Sequence, residues 1–160
     1  MKNTAVYPGT FDPVTNGHLD IIKRASEMFD TVIVAVLINR TKKPVFTTQE
    51  RAAQIKACVK NFKNVKVDSF DGLLADYMRR KKAKVAIRGL RAVSDLEYEF
   101  QLAHTNRGLN KDMETVFLMP SAQYTYLTST MVREVYGHGG KMQGMVPPRV
   151  ERALLKLYKK

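Results

Sequence analysis

Apolar positions along the chain follow two alternating rhythms. Short β-branched and apolar runs at 5–7, 31–37, 65–67, 84–87 and 115–119 read as strands. Between them, apolar residues recur at helical spacing: Leu19, Ile22, Ala25 and Phe29; Ala52, Ile55 and Val59; Leu73, Leu74, Tyr77 and Met78; Leu96, Phe100 and Ala103; Val132 and Val135; Val150, Ala153, Leu154 and Leu157. The first strand is predicted to break at Pro8-Gly9 and the first helix to begin near His18. Capping boxes are predicted at Thr47/Glu50 and Ser94/Glu97, and Pro147-Pro148 opens the last helix. The run at 31–37 is apolar on both faces, as in a parallel strand covered on both sides. Strands alternating with helices imply βαβ units with right-handed crossovers. The expected fold is α/β: about five parallel strands in one sheet, helices on both faces, one domain over residues 1–160.

In such sheets ligands bind beyond the carboxyl ends of the strands. The chemistry-bearing residues fall there: the 9–18 loop, Lys42, the 71–74 loop, Arg88 to Arg91, and 121–130. The first loop places Thr10, Asn16 and His18 beside a helix N-terminus, whose unpaired N–H groups and dipole favour an anion. Gly9 and Gly17 have no Cβ and allow a close backbone approach. Arg88 and Arg91 follow a strand and suit phosphate geometry; ion pairing with Asp95, Glu97 or Glu99 explains them equally well on spacing alone. Thr128, Ser129 and Thr130 place three hydroxyls at a helix start, where capping needs only one. Asp12, before Pro13, reads as a turn-capping carboxylate rather than a metal ligand.

Composition narrows the setting. The 160 residues are 44% hydrophobic, enough for a core without staples. The single cysteine, Cys58, excludes an intramolecular disulfide and reads as helix-face packing. The net charge of +12 suits anionic partners. The basic residues are dispersed apart from Arg79-Arg80-Lys81-Lys82, which closes a predicted helix. No signal peptide or membrane-length apolar run is present, so a soluble, reducing, cytoplasmic setting is expected, without membrane or nucleic-acid partners. The dinucleotide and P-loop glycine motifs are absent.

Tyr7-Pro8-Gly9-Thr10-Phe11-Asp12-Pro13, followed by Thr15-Asn16-Gly17-His18, resembles the signature of the nucleotidylyltransferase superfamily. The common form is His-x-Gly-His; here threonine stands first. Ile87-Arg88-Gly89-Leu90-Arg91 and Thr128-Ser129-Thr130-Met131-Val132-Arg133-Glu134 resemble two further family motifs, the second with threonines in place of two serines and Leu127 in place of isoleucine. Within the superfamily the set resembles the bacterial phosphopantetheine adenylyltransferases, from Tyr7 to about Pro148. The resemblance implies a Rossmann-like homohexamer that joins ATP and 4′-phosphopantetheine into dephospho-coenzyme A and pyrophosphate, with Mg²⁺ held mainly by the ATP phosphates and coenzyme A as a feedback ligand.

It also implies roles. Thr10, Lys42 and Arg88 would hold the phosphopantetheine phosphate and Leu74 its arm. His18 would stabilise the transition state, with Lys42 and Arg88 contributing to catalysis. The ATP site would comprise Thr10, Phe11, His18, Gly89, Leu90, Arg91, Glu99, Tyr124, Thr125, Tyr126, Leu127, Thr128, Ser129 and Thr130. His18, Arg91 and Ser129 would serve the phosphates. A phosphate nucleophile is already ionised at neutral pH, so positioning and charge stabilisation suffice without a general base. Two other readings compete: an adenylyl or cytidylyl transferase for another acceptor, such as nicotinamide mononucleotide, and a basic RNA-binding module. Thr15 and the Arg88–Arg91 motif oppose the first. Dispersed charge and the intact hydroxyl and arginine motifs oppose the second.

Overall fold

The computed structural model describes residues 3–38 and 43–159; Lys42, with its expected roles in catalysis and phosphopantetheine binding, and the side chains of Val93 and Ser94 lie outside the described part. Five strands, β1 (Thr4–Gly9), β2 (Thr31–Leu37), β3 (Val65–Phe70), β4 (Val85–Gly89) and β5 (Glu114–Leu118), form one sheet in the order β3-β2-β1-β4-β5. Every pairing is parallel. The helices are α1 (Asn16–Met28), α2 (Thr48–Val59), α3 (Leu74–Lys81), α4 (Val93–Leu109), α5 (Ser129–Gly137) and α6 (Pro148–Leu157).

The expected α/β layering is present. Alternate residues of the central strands enter two cores. Ala5, Tyr7, Val32, Val34 and Val36 pack with Ile22 and Ala25 of α1, Ile55 of α2, Val132 of α5 and Leu154 of α6. Val6, Ile33 and Ala35 pack on the opposite face with Tyr77 and Met78 of α3. A strand buried on both faces needs apolar residues at every position, which explains the uninterrupted run in β2.

Four boundaries differ from expectation. β1 continues through Pro8-Gly9, pairing Gly9 with Val36. The ladder from β1 to β4 ends at Val6, and the Pro8 carbonyl accepts from Arg88 Nη1 at 3.3 Å. Pro8 therefore costs no ladder bond on that side, where its missing N–H would matter. Ser69 and Phe70 belong to β3 rather than to a loop, paired with Val36 and Leu37. Arg88 and Gly89 lie within β4, held against Phe117 and Leu118. The Ser94/Glu97 box does not open α4: Ala92 occupies the cap position without a side-chain bond, and Ser94 is the second residue of the helix. The Thr47/Glu50 box does form, with Thr47 N donating to Glu50 Oε2 at 2.7 Å and Glu50 N donating to Thr47 Oγ1 at 3.2 Å.

Candidate active site

The chain leaves β1 toward β2 and β3, then returns to add β4 and β5 on the other side. The strand order thus reverses between β1 and β4, the place where open sheets bind ligands. These two strands pair only at Ala5 and Val6. Beyond that point β1 stays with β2 while β4 stays with β5. The strands part, and a cleft of about 330 Å³ opens between Tyr7–Gly9 and Arg88–Gly89.

Two helix N-termini deliver the next layer. In α1, Thr15 is the cap and His18 the third residue. Thr15 N donates to His18 Nδ1 at 3.0 Å, and His18 N donates to Thr15 Oγ1 at 3.3 Å. Thr15 Oγ1 also lies 3.0 Å from His18 Nδ1. The His18 ring meets Phe11 edge-on, with centroids 5.0 Å apart. Desolvation, aided by the charge of Arg91, lowers its pKa to about 4. The ring is therefore neutral at physiological pH. In α5, Thr128 is the cap and accepts from Met131 N at 2.9 Å. Ser129 Oγ donates to Pro13 O at 2.8 Å, and Thr130 Oγ1 accepts from Arg133 Nη2 at 3.2 Å. Each hydroxyl thus has its own protein partner. The first-turn N–H groups of α5 not used by the cap are of the kind that suits an anion.

The arginines form the ion pairs that their spacing allowed. Arg88 Nε and Nη2 donate to Glu99 at 2.7 and 2.6 Å, a two-pronged pair. Burial opposes the Arg88 charge, but the Glu99 bonds outweigh it and hold the guanidinium pKa above its usual value. Arg91 pairs with Asp95 at 3.3 Å and donates to Leu127 O at 3.3 Å. Both arginines still line the cleft, with Lys43 and Arg133.

Asp12 is structural, as its place before Pro13 suggested, but it caps a distant segment rather than its own turn. Its carboxylate accepts from Val45 N and Phe46 N, both at 3.0 Å. Beneath it lies Arg51, 2% exposed. Arg51 donates to Phe46 O at 3.1 Å, Thr10 O at 2.6 Å, Leu37 O at 3.3 Å and Thr48 Oγ1 at 3.0 Å. One buried side chain thereby fixes the segments that follow β1 and β2. The glycines serve packing more than ligand approach. A Cβ on Gly9 would stand 2.9 Å from the Phe11 ring, and one on Gly17 would stand 3.3 Å from Tyr124 Cβ. Phe11 occupies the left-handed region, with φ 49°, which folds its ring back beneath Gly9.

Of the expected residues, Thr10, Phe11, His18, Arg88, Gly89, Arg91, Glu99, Tyr124, Leu127, Thr128, Ser129 and Thr130 line this one cleft. Leu74, Leu90, Thr125 and Tyr126 are not among its lining residues. Leu74 packs against the core on the α3 face, and Leu90 N is bonded to Leu118 O. Sequence reasoning carried Tyr7, Thr15 and Arg133 within its motifs without giving them a place in the site, and missed Arg51. Arg51 had a visible signal: an arginine four residues before Ile55, on the apolar stripe of α2. Tyr7 opens the signature, but its ring reads as core while its edge reaches the cleft.

Among the described residues no three His, Cys, Asp or Glu side chains cluster as a metal cage. Of the two carboxylates in the cleft, Asp12 is engaged by backbone N–H groups and Glu99 by Arg88. The donor set does not fit a protein-held Mg²⁺.

Residues 6–135 match the cytidylyltransferase-like family. A phosphopantetheine adenylyltransferase of Thermodesulfovibrio yellowstonii is 55% identical over 161 residues, covering 100% of both chains. One of Clostridium tetani is 54% identical over 148 residues, covering 92% of each. The fold also superposes on Plasmodium falciparum nicotinic acid mononucleotide adenylyltransferase complexed with NaAD, at a TM-score of 0.72 and 14% identity, over 98% of this chain and 96% of that one.

Proposed function

The chain belongs to the cytidylyltransferase-like family and, within it, to the phosphopantetheine adenylyltransferases; from that membership we propose how its cleft performs the reaction. The enzyme transfers the adenylyl group of ATP to 4′-phosphopantetheine, giving dephospho-coenzyme A and pyrophosphate. The observation that carries the mechanism is the meeting of two helix N-termini and four cationic side chains where β1 and β4 part.

The acceptor phosphate attacks the α-phosphorus of ATP in line, and pyrophosphate leaves. The nucleophile is already an anion, so the protein need not remove a proton. Arg88 turns Nη1 toward the strand gap while Glu99 holds the rest of its fork. With Thr10 and Lys42 it receives the acceptor phosphate; Leu74, outside the lining of the cleft, would meet only the far end of the acceptor arm. His18 donates from Nε2 as charge builds on the phosphoryl oxygens. Such a preorganised donor acts most in the transition state. Arg91 and the first-turn N–H groups of α5 hold the ATP phosphates. The rest of the nucleotide lies along Phe11, Gly89 and the 124–130 segment. Mg²⁺ bound to the ATP phosphates would neutralise part of their charge; among the described residues no carboxylate cluster is placed to hold it.

Coenzyme A carries both halves of the product and would compete for the same cleft as a feedback ligand. The proposed assembly is a homohexamer in the cytoplasm. Exposed apolar side chains of α4, Tyr98, Phe100 and Leu109, beside the edge strand β5, support association. No helix among the described residues is long and apolar enough to cross a membrane. The test is a product assay with ATP, Mg²⁺ and alternative acceptors. Dephospho-coenzyme A and pyrophosphate are expected with 4′-phosphopantetheine, and little turnover with nicotinamide mononucleotide. Preference for the latter overturns the acceptor assignment while leaving the family intact.

A further inference from the structure

We propose that Thr15 is a positioning residue that fixes the His18 imidazole as the tautomer protonated on Nε2, with that N–H left for the phosphoryl group. This rests on the adenylyl-transfer reading above. The bonds impose the tautomer. Thr15 N–H points at His18 Nδ1 from 3.0 Å, and a backbone amide can only donate. Nδ1 must therefore be an acceptor and carry no proton. The Thr15 hydroxyl stands 3.0 Å from the same nitrogen while its oxygen accepts from His18 N at 3.3 Å. One hydroxyl can satisfy both contacts by donating to Nδ1. Among the described residues no protein group pairs with Nε2, and it is not a buried orphan. The ring lines the cleft. The free N–H is thus open to a ligand.

Helix capping alone does not account for this. A capping box needs an acceptor at the third helical position, and Glu or Gln supplies one with more reach. An imidazole meets the need with one nitrogen and leaves a donor on the other. The neighbourhood also disfavours a second proton. Arg91 stands nearby, the positive end of α1 lies beneath the ring, and Phe11 and Tyr7 close its sides. Arg88, Arg133 and Lys43 add positive charge across the cleft, opposed by Asp12 and Glu99. The threonine that departs from the usual His-x-Gly-His pattern thus orients the remaining histidine.

The test combines spectroscopy with a double-mutant cycle in the full-length enzyme. Nitrogen NMR of His18 in the wild type should show the proton on Nε2 alone, unchanged between pH 5.5 and 8. Thr15→Val keeps the backbone N–H on Nδ1 and removes only the hydroxyl that helps hold the ring, so it should lower kcat about 10-fold, the low end of the range for losing a partner that orients a metal-bound histidine, with the KM for ATP little changed. Thr15→Ser should restore most of kcat. In a His18→Ala background, Thr15→Val should have almost no further effect, because its influence travels through the ring. Thermal melts identify any variant that fails to fold, and the wild-type spectrum is independent of all variants. A proton on Nδ1, or equal kcat losses with and without His18, overturns the proposal. A wild-type enzyme inert toward 4′-phosphopantetheine but carrying an Nε2–H ring overturns the functional reading instead.

Discussion

At the residue scale the site is a set of side chains already committed to protein partners. Arg88 and Glu99 show the consequence. Glu99 is 8% exposed, and its two oxygens rest on one guanidinium. Removing Arg88 deletes a phosphate ligand and also strands a nearly buried carboxylate. Stranding a buried charge costs up to about 3–5 kcal/mol, less where water reaches it. Arg88→Ala should therefore lower stability by roughly 2–3 kcal/mol and abolish most activity. Adding Glu99→Gln should recover most of the stability and little of the activity, as urea denaturation and kinetics together will reveal. Recovery of both would reduce Arg88 to a structural partner. His18 sets a pH dependence. Its folded pKa of about 4 lies below the ordinary 6.5. Between these values the unfolded chain binds the proton and the folded chain does not, so stability rises with pH. The contribution is complete above pH 6.5 and fades as pH falls toward 4. Its ceiling is about 3 kcal/mol, reduced because the ring is only part-buried. Denaturation across pH 4–7 should show the wild type losing stability relative to His18→Asn as the pH falls below 6.5, with the difference between them constant above it.

At the element scale, the loops after β1 and β2 are set by what lies beneath them. Arg51 leaves α2 to bind carbonyls at positions 10, 37 and 46, and Asp12 answers its charge from above. Arg51→Met keeps the volume and loses every bond. It leaves buried carbonyls unpaired, each costing about 1–3 kcal/mol. A loss of roughly 3–5 kcal/mol is expected, with a raised KM for both substrates because Thr10 and its neighbours lose their anchor. An Arg51→Met enzyme with wild-type KM values would show that the loops are held otherwise. The same logic explains the glycines of this loop. Gly9 yields to the Phe11 ring and Gly17 to the 124–127 segment, so their missing Cβ atoms let protein pack against protein. The α5 hydroxyls divide their labour in the same way, one capping, one bonding Pro13 and one receiving Arg133.

At the scale of the whole molecule, an excess of +12 is spread over both halves of the chain, with a positive cleft at the strand parting. Such a surface attracts anions without marking a nucleic-acid track. Duplex DNA and RNA should bind weakly and be released by salt, with a slope near −0.9 per phosphate neutralised on B-DNA. Submicromolar RNA affinity at physiological salt, measured by fluorescence anisotropy, would reopen the binding-module reading. What the sequence determined by itself is local in origin. Periodicity gave the strand and helix order, since a 3.6-residue or two-residue rhythm is written in neighbouring positions. Loop chemistry placed Thr10, His18, Arg88 and Ser129 at one sheet edge, because in βαβ units the carboxyl ends of the strands share a side. The Thr15–His18 contact was also local, three residues apart, but an imidazole in the place of a capping glutamate concealed it. The tertiary structure alone decided that β1 runs through Pro8, that Arg51 holds three segments, that Ser129 bonds Pro13 and that Leu74 lies off the cleft. These are distances between segments as many as 116 residues apart. They are set where two strands part and two helices are brought end-on to the gap, and no neighbouring residue records them.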